Sequence, residues 1–240
     1  NQRRTTDGMT ALLYASQSGH AAVVTLLLAR GANVNQGMTD SGRTALMFAT
    51  QMGHAAIVTL LLANGANVNQ ARNNGKTALM VASLNGYAAI VRLLLENGAN
   101  VNQGQINNGG TALIWASQGG HTEVVRVLLA NGANVNQGTT RDGMTALIWA
   151  SHNGHEAVVR LLLGHTGVDV NQGKSDTGTT ALMVASAQGH AAVVTLLLAR
   201  GANVNQGQTF EGGTALMAAS LNGHAAIVTL LLANGANVNQ

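Results

Sequence analysis

Thr111-Ala-Leu-Ile-Trp-Ala-Ser-Gln-Gly-Gly-His-Thr-Glu-Val-Val-Arg-Val-Leu-Leu-Ala-Asn-Gly-Ala-Asn-Val-Asn-Gln137 decides the fold. It holds two short apolar-periodic segments, split by Gly119-Gly120 and closed by Gly132. The Thr-Ala-Leu that opens it recurs at Thr10, Thr44, Thr77, Thr111, Thr145, Thr180 and Thr214, at spacings of 34, 33, 34, 34, 35 and 34 residues. Self-similarity at a period in this range means a stacked repeat array.

Working outward from that stretch, every copy parses alike. The first opens with the turn Arg3-Arg-Thr-Thr-Asp-Gly8, whose Asp-Gly pair tolerates positive φ and suits a hairpin tip. Thr10 then caps a helix expected to run to about Gln17, and Gly19 breaks it. A second helix is expected from about His20 to Ala29, with Val23, Val24, Leu27 and Leu28 at helical spacing and Gly31 as its stop. Neither helix is long enough to be stable alone in water, so each depends on the neighbouring copies. Leu12, Leu46, Leu79, Leu113, Leu147, Leu182 and Leu216 form one candidate core column. Ala15, Ala49, Ala82, Ala116, Ala150, Ala185 and Ala219 form another, where a small side chain lets helices approach. Burying one such Leu contributes about 1.5–3 kcal/mol.

Asp142-Gly143-x-Thr-Ala-Leu-x-x-Ala-Ser-x-x-Gly154-His155, then Val-Val-x-Leu-Leu-Leu, then Gly-Ala-Asn-Val-Asn in most copies, resembles the ankyrin repeat. The resemblance covers residues 1–240 as a single array, with repeats at about 3–36, 37–70, 71–103, 104–137, 138–172, 173–206 and 207–240. It implies an all-α solenoid of helix-turn-helix units joined by short hairpin loops. It also implies a non-enzymatic module that binds a protein through a concave groove, in an intracellular, cytoplasmic setting. The variable-groove pattern described below is similar to the recognition arrays of larger intracellular receptors. Two departures stand out. The family's Thr-Pro-Leu-His reads Thr-Ala-Leu-Met or Thr-Ala-Leu-Ile here, so the Pro that pre-sets the first helical turn is missing. Leu13, Met47, Met80, Ile114, Ile148, Met183 and Met217 put apolar surface where the family often has His.

Composition agrees with a linear array, which escapes the usual size limit on a single core. There is no Cys, so disulfides and thiolate metal sites are excluded, and there is no Pro. Charged residues make up only 9%, and the net charge of +3 is scattered rather than blocked. The longest apolar runs, such as 21–29, are too short to span a bilayer. No basic-apolar-small leader opens the chain. Asn1-Gln2 matches the repeat ends Asn35-Gln36 and Asn69-Gln70, so the chain starts and stops in one phase and reads as an excised piece.

Internal comparison locates the function. Residues 19–37 are identical to 189–207, and 53–70 to 223–240, both pairs 170 residues apart. The first halves of those copies differ: Phe48, Thr50, Gln51 and Met52 stand against Ala218, Ser220, Leu221 and Asn222. The column Tyr14, Phe48, Val81, Trp115, Trp149, Val184 and Ala218 lies three and four residues before two other variable positions, so the three share one helix face. Constancy elsewhere with variation on that face is what partner recognition produces. Drift where packing is loose is the plainer explanation, but drift also touches a solvent-facing column such as Ala21, Ala22 and Thr25, and here it does not.

The candidate contact residues are Tyr14, Phe48, Trp115, Trp149, Gln17, Gln51, Met52, Gln118, His152, Asn153, Arg43, Arg141 and Phe210. Aromatic residues are the commonest interface anchors, and the pair Trp115 and Trp149 on adjacent repeats is the strongest candidate. The alternative is that the rings wedge between neighbouring first helices and pack. His20, His54, His121, His155, His190 and His224 recur with the period and read as structural, with Tyr87 in their place in the third repeat. His152 and His155 have Gly154 between them and no carboxylate at ligand spacing, so no metal site is assigned. Hairpin cations (Arg3, Arg4, Arg43, Arg72, Lys76, Arg141, Lys174) are interleaved with Asp7, Asp40, Asp142, Asp176 and Glu211, a mixed footprint that argues against nucleic acid. Arg92, Arg126 and Arg160 read as a solvated second-helix face. No catalytic constellation, phosphate loop or dinucleotide fingerprint occurs, so no cofactor is assigned. The alternative function is a spacer or self-associating array without a dedicated ligand. Two irregularities suit a natural sequence. The third hairpin, Ala71-Arg-Asn-Asn-Gly-Lys76, is one residue short, and Gly164-His-Thr-Gly167 is one long at the end of a second helix, which is expected to weaken that junction. His224-Ala-Ala-Ile-Val-Thr-Leu-Leu-Leu-Ala-Asn234 carries no charge and, with Leu12, Leu13 and Tyr14 at the other end, is expected to favour head-to-tail association.

Overall fold

The structure is a computed structural model and describes residues 8–209 and 212–240. Among the described residues, fourteen helices come in seven pairs. They are α1 (Ala11–Ser18) with α2 (Ala21–Ala29), α3 (Ala45–Gln51) with α4 (Ala55–Ala63), α5 (Ala78–Leu84) with α6 (Ala88–Glu96), and α7 (Ala112–Gln118) with α8 (Thr122–Ala130). They continue as α9 (Ala146–His152) with α10 (Glu156–Gly164), α11 (Ala181–Ala187) with α12 (Ala191–Ala199), and α13 (Ala215–Leu221) with α14 (Ala225–Ala233). First helices of successive pairs pack on one another from α1 to α13, and second helices do the same from α2 to α14. Two helical layers enclose one continuous core.

Local chemistry explains each start. An extended Thr precedes every first helix, and its hydroxyl accepts the N–H of the residue three further on, at 3.2 Å for Thr145 and 3.4 Å for Thr77. Such a cap contributes about 1 kcal/mol. The Leu and Ala columns then enter the core, from Leu12 and Ala15 to Leu182 and Ala185; in the last pair Ala219 is buried while Leu216 is only half-buried. The column replacing the family's His is buried from Leu13 to Met183, and Met217 is 43% exposed because no described pair covers it.

Second helices end in a glycine lock. Gly132 N–H reaches the Leu129 carbonyl and Ala133 N–H reaches that of Leu128, which caps two of the last carbonyls. Six pairs show this bond pattern. In the fifth, α10 runs on to Gly164, His165 turns extended, and its N–H bonds only Leu162 among the described residues.

Two devices join neighbouring pairs. The first is an asparagine ladder. Asn102 Nδ2 donates to the Gly132 carbonyl at 3.0 Å while its Oδ1 accepts from Asn134 N–H at 2.7 Å. Asn35, Asn69, Asn136, Asn171 and Asn205 do the same one pair along. The side-chain amide thus behaves as an extra peptide group spanning the junction. Gly167 and Asp169 still receive Asn136, at 2.7 and 2.9 Å, so the inserted residue does not break the ladder.

The second device is the periodic histidine. These residues stand one position before the second helix rather than inside it, and their side chains make no cap. Instead the ring reaches back to the preceding pair. His155 Nε2 donates to the Gln118 carbonyl at 3.0 Å, and His54, His121, His190 and His224 bond Gln17, Leu84, His152 and Ala187 in the same way. A carbonyl acceptor requires Nε2 to carry the proton. The ring has room because Gly120 lacks a side chain: a Cβ there would lie 2.8 Å from the His155 ring, and its φ of 71° disfavours other residues as well. The His column and the Gly column before it are therefore one joint.

Candidate functional site

The variable positions lie on the first helices, on the side away from the Leu and Ala columns, beside the hairpins. Gln51, Met52, Asn153 and Arg141 are exposed, and Tyr14 and Met52 each show half their surface. Gln17, Gln118, His152, Trp115 and Trp149 are half-buried. Helix geometry puts Tyr14 with Gln17, Trp115 with Gln118, and Trp149 with His152 and Asn153 on one face of their helices, since residues three and four apart share a face, whereas Arg141 lies in the hairpin before α9. Asn153 Nδ2 donates to the Gln118 carbonyl at 3.0 Å, tying the fourth and fifth pairs at the edge of that face. Phe210 lies outside the described residues.

Phe48 requires a correction. It is only 3% exposed, and the Arg43 guanidinium lies over its ring with Cζ 3.9 Å from the centroid. A visitor to this face meets the guanidinium, not the ring. Val81, in the same column, is also buried. The packing alternative therefore holds for part of the column, because the neighbouring first helices close over it. Trp115 is intermediate: Lys76 Nζ sits 4.6 Å from its ring centroid, and a side chain at Gly110 would press on its edge. Trp149 packs partly on the core, with the His152 ring 6.2 Å away and tilted.

The cations of the hairpins and second helices differ in their pairing, and the exposed Arg141 has no ion pair among the described residues. Lys174 pairs with Asp176 at 3.6 Å, and the exposed Arg92, Arg126 and Arg160 pair with Glu123 or Glu156 across the second helices. Arg43, Arg72 and Lys76 are half-buried and have no carboxylate in ion-pair contact among the described residues. Arg43 and Arg72 both donate to Gln51 Oε1, Arg72 at 3.2 Å, which gathers two guanidiniums on one oxygen. Burial holds all three below their ordinary pKa values, and Arg43's charge lowers Arg72 further as Arg72's lowers Lys76. Asp40 acts on Arg43 in the opposite sense. Sequence reasoning saw the short third hairpin but missed this convergence, because the Gln51 bridge that gathers the two guanidiniums is not visible in residue spacing.

Residues 1–72, 35–105, 103–174 and 166–240 match the sequence profile described as "Ankyrin repeats (3 copies)". The chain belongs to the ankyrin repeat family. Among solved structures, it is similar to the human ASB11 ankyrin repeat domain, with a TM-score of 0.83 at 30% identity over 95% of this chain and 99% of that one. No curated protein sequence matches the chain. Since 628 solved chains share the likeness, the fold alone names no partner. Ankyrin repeats are in general non-catalytic modules that bind proteins. No helix of the described residues is long and apolar enough to cross a membrane.

Proposed function

We propose that this chain binds a protein partner through the groove face formed by its first helices and hairpin tips. One observation carries the reading. Between copies whose second halves are identical, the exposed Gln51 and Met52 are replaced by the exposed Leu221 and Asn222. The exposed Ala56 and Thr59 are retained as Ala226 and Thr229. Exposure without change on one face, and with change on the other, is the mark of selection by a ligand rather than of loose packing. The contact set is Tyr14, Gln17, Gln51, Met52, Trp115, Gln118, Trp149, His152, Asn153, Arg43 and Arg141, with Phe48 acting through Arg43. The same proposal takes residues 1–240 as one array of seven repeats, the recognition part of a larger receptor in an intracellular, cytoplasmic setting.

The test compares variants against a protein captured from the source organism. Trp149→Ala with Met52→Ala is expected to weaken binding by more than about 2 kcal/mol in a folded chain. Arg126→Ala with Arg160→Ala, on the second-helix face, is expected to leave it unchanged. The reverse pattern rejects the face, and no capture at all favours the spacer reading.

A second reading, head-to-tail self-association, rests on the end faces. Leu221 is 88% exposed, Met217 43%, Leu232 41% and Val238 67%; at the other end Tyr14 and Leu26 are exposed, but Leu12 and Leu13 are buried, which corrects the expectation that they form part of an open end face. Light scattering over a concentration series tests it. A monomer at all concentrations, unchanged by Leu221→Glu, rejects it.

A further inference from the structure

Three cations meet on the second and third hairpins, none in ion-pair contact with a carboxylate among the described residues; Asp40 acts on Arg43 only from beyond contact distance. Arg43 and Arg72 share Gln51 Oε1, and Lys76 lies next along on Trp115. Each guanidinium also leaves its Nε buried without a partner. Like charges held together at partial burial repel, and buried donors without acceptors are costly. The arrangement persists because aromatic rings and Gln51 fix the side chains, not because the charges are neutralised. An arriving anion would relieve the like-charge repulsion, which makes this the place on the face where binding gains most from charge.

We propose that the Arg43–Arg72–Lys76 cluster is the charge-reading subsite of the binding face, and that it receives carboxylates from an acidic segment of a protein partner. The proposal rests on the reading that this face binds protein and adds the chemistry of what it reads. Two observations select a peptide over nucleic acid. The Arg43 guanidinium, held over Phe48, and that of Arg72 converge on the single oxygen Gln51 Oε1, and two planar forks so placed match the paired oxygens of a discrete carboxylate. The cations are also discontinuous: the fourth hairpin, residues 104–110, carries none, Arg141 in the fifth is followed by Asp142, and in the sixth Lys174 is paired with Asp176, so no continuous track follows a phosphate backbone. The half-exposed Met52 beside Gln51 supplies apolar contact of the kind an acidic-apolar segment uses.

The test is fluorescence anisotropy with three labelled probes at low salt. They are a peptide of alternating glutamate and leucine, its glutamine counterpart, and an oligothymidylate of equal formal charge. The proteins are the full chain, Arg43→Met/Arg72→Met, Lys76→Met, and the charge-matched control Arg126→Met/Arg160→Met. Methionine keeps the apolar stem over Phe48 and Trp115, and a melting curve for each variant verifies folding. The glutamate peptide is expected to bind the full chain and to lose about tenfold for each cation removed from the cluster. The control is expected to change binding by no more than about twofold. Absence of glutamate-peptide binding, equal binding of the glutamine peptide, equal loss in the control, or tighter oligothymidylate binding each overturns the proposal. If captured-partner binding falls with Trp149→Ala/Met52→Ala while the peptide ignores Arg43 and Arg72, the face stands and only the acidic reading fails.

Discussion

Replacing Gly120 by Ala tests the joint between pairs more sharply than deleting any core side chain. Two penalties act there. With φ at 71°, Ala in the left-handed region costs about 1 kcal/mol. The new Cβ would also lie 2.8 Å from Cε1 and Nδ1 of the His155 ring, so the ring must move. Moving it breaks the 3.0 Å bond from Nε2 to the Gln118 carbonyl and leaves polar groups unsatisfied, about 1–3 kcal/mol. The total is about 2–4 kcal/mol. Gly98 supplies the control. Its φ is 82°, but a Cβ there meets nothing within 4 Å, so Gly98→Ala should cost only the conformational part, about 1 kcal/mol. Urea unfolding followed by far-ultraviolet circular dichroism measures both. In a His155→Ala background the cost of Gly120→Ala should fall to that of Gly98→Ala, since the clash and the bond are both gone. Equal costs at Gly98 and Gly120, or a Gly120 cost that ignores His155, would refute the joint.

Other consequences are accessible to the same assay. Ser117 is fully buried with its hydroxyl unpartnered, so Ser117→Ala should be neutral or stabilising by up to about 1 kcal/mol; a loss above that, read from the unfolding midpoint, would mean the hydroxyl is bonded. Ala112 takes the first helical position after an extended Thr111, so Ala112→Pro should stabilise by about 0.4–1 kcal/mol, measured as a raised melting temperature, and a drop would mean the ring has no room. The fifth pair lacks the glycine lock after α10, so amide hydrogen exchange should open 161–172 before 60–70; equal protection would show that the Asn136 ladder alone holds that end.

What the sequence showed and what it withheld divide along physical lines. The period, the two helices per unit, the Thr caps and the stopping glycines follow from local propensity, and the structure places them within a residue of expectation. His20 and its counterparts shift from the second helix to the residue before it, where the backbone is non-helical, as at His20 and His155, and for His54 and the later ones the ring's partner lies in another pair. The Asn-Val-Asn segment reads as a linker in sequence, and its ladder depends on groups about thirty residues away. Burial misled at one site residue: Phe48 carries the residue type of an anchor, but Arg43 and the adjacent helices close over it. The unpaired Arg43–Arg72–Lys76 cluster was hidden for the same reason, since charge pairing is decided by which hairpins meet and not by the order of residues.

The central claim is that binding occurs on the first-helix face. Hydrogen-exchange footprinting of the chain, alone and with its captured protein partner, measures this directly. Added protection is expected in 43–52, 110–119, 141–153 and their hairpin neighbours, with none added in 56–63 or 122–130. Protection confined to those second-helix segments, with the first helices unchanged, would contradict the account.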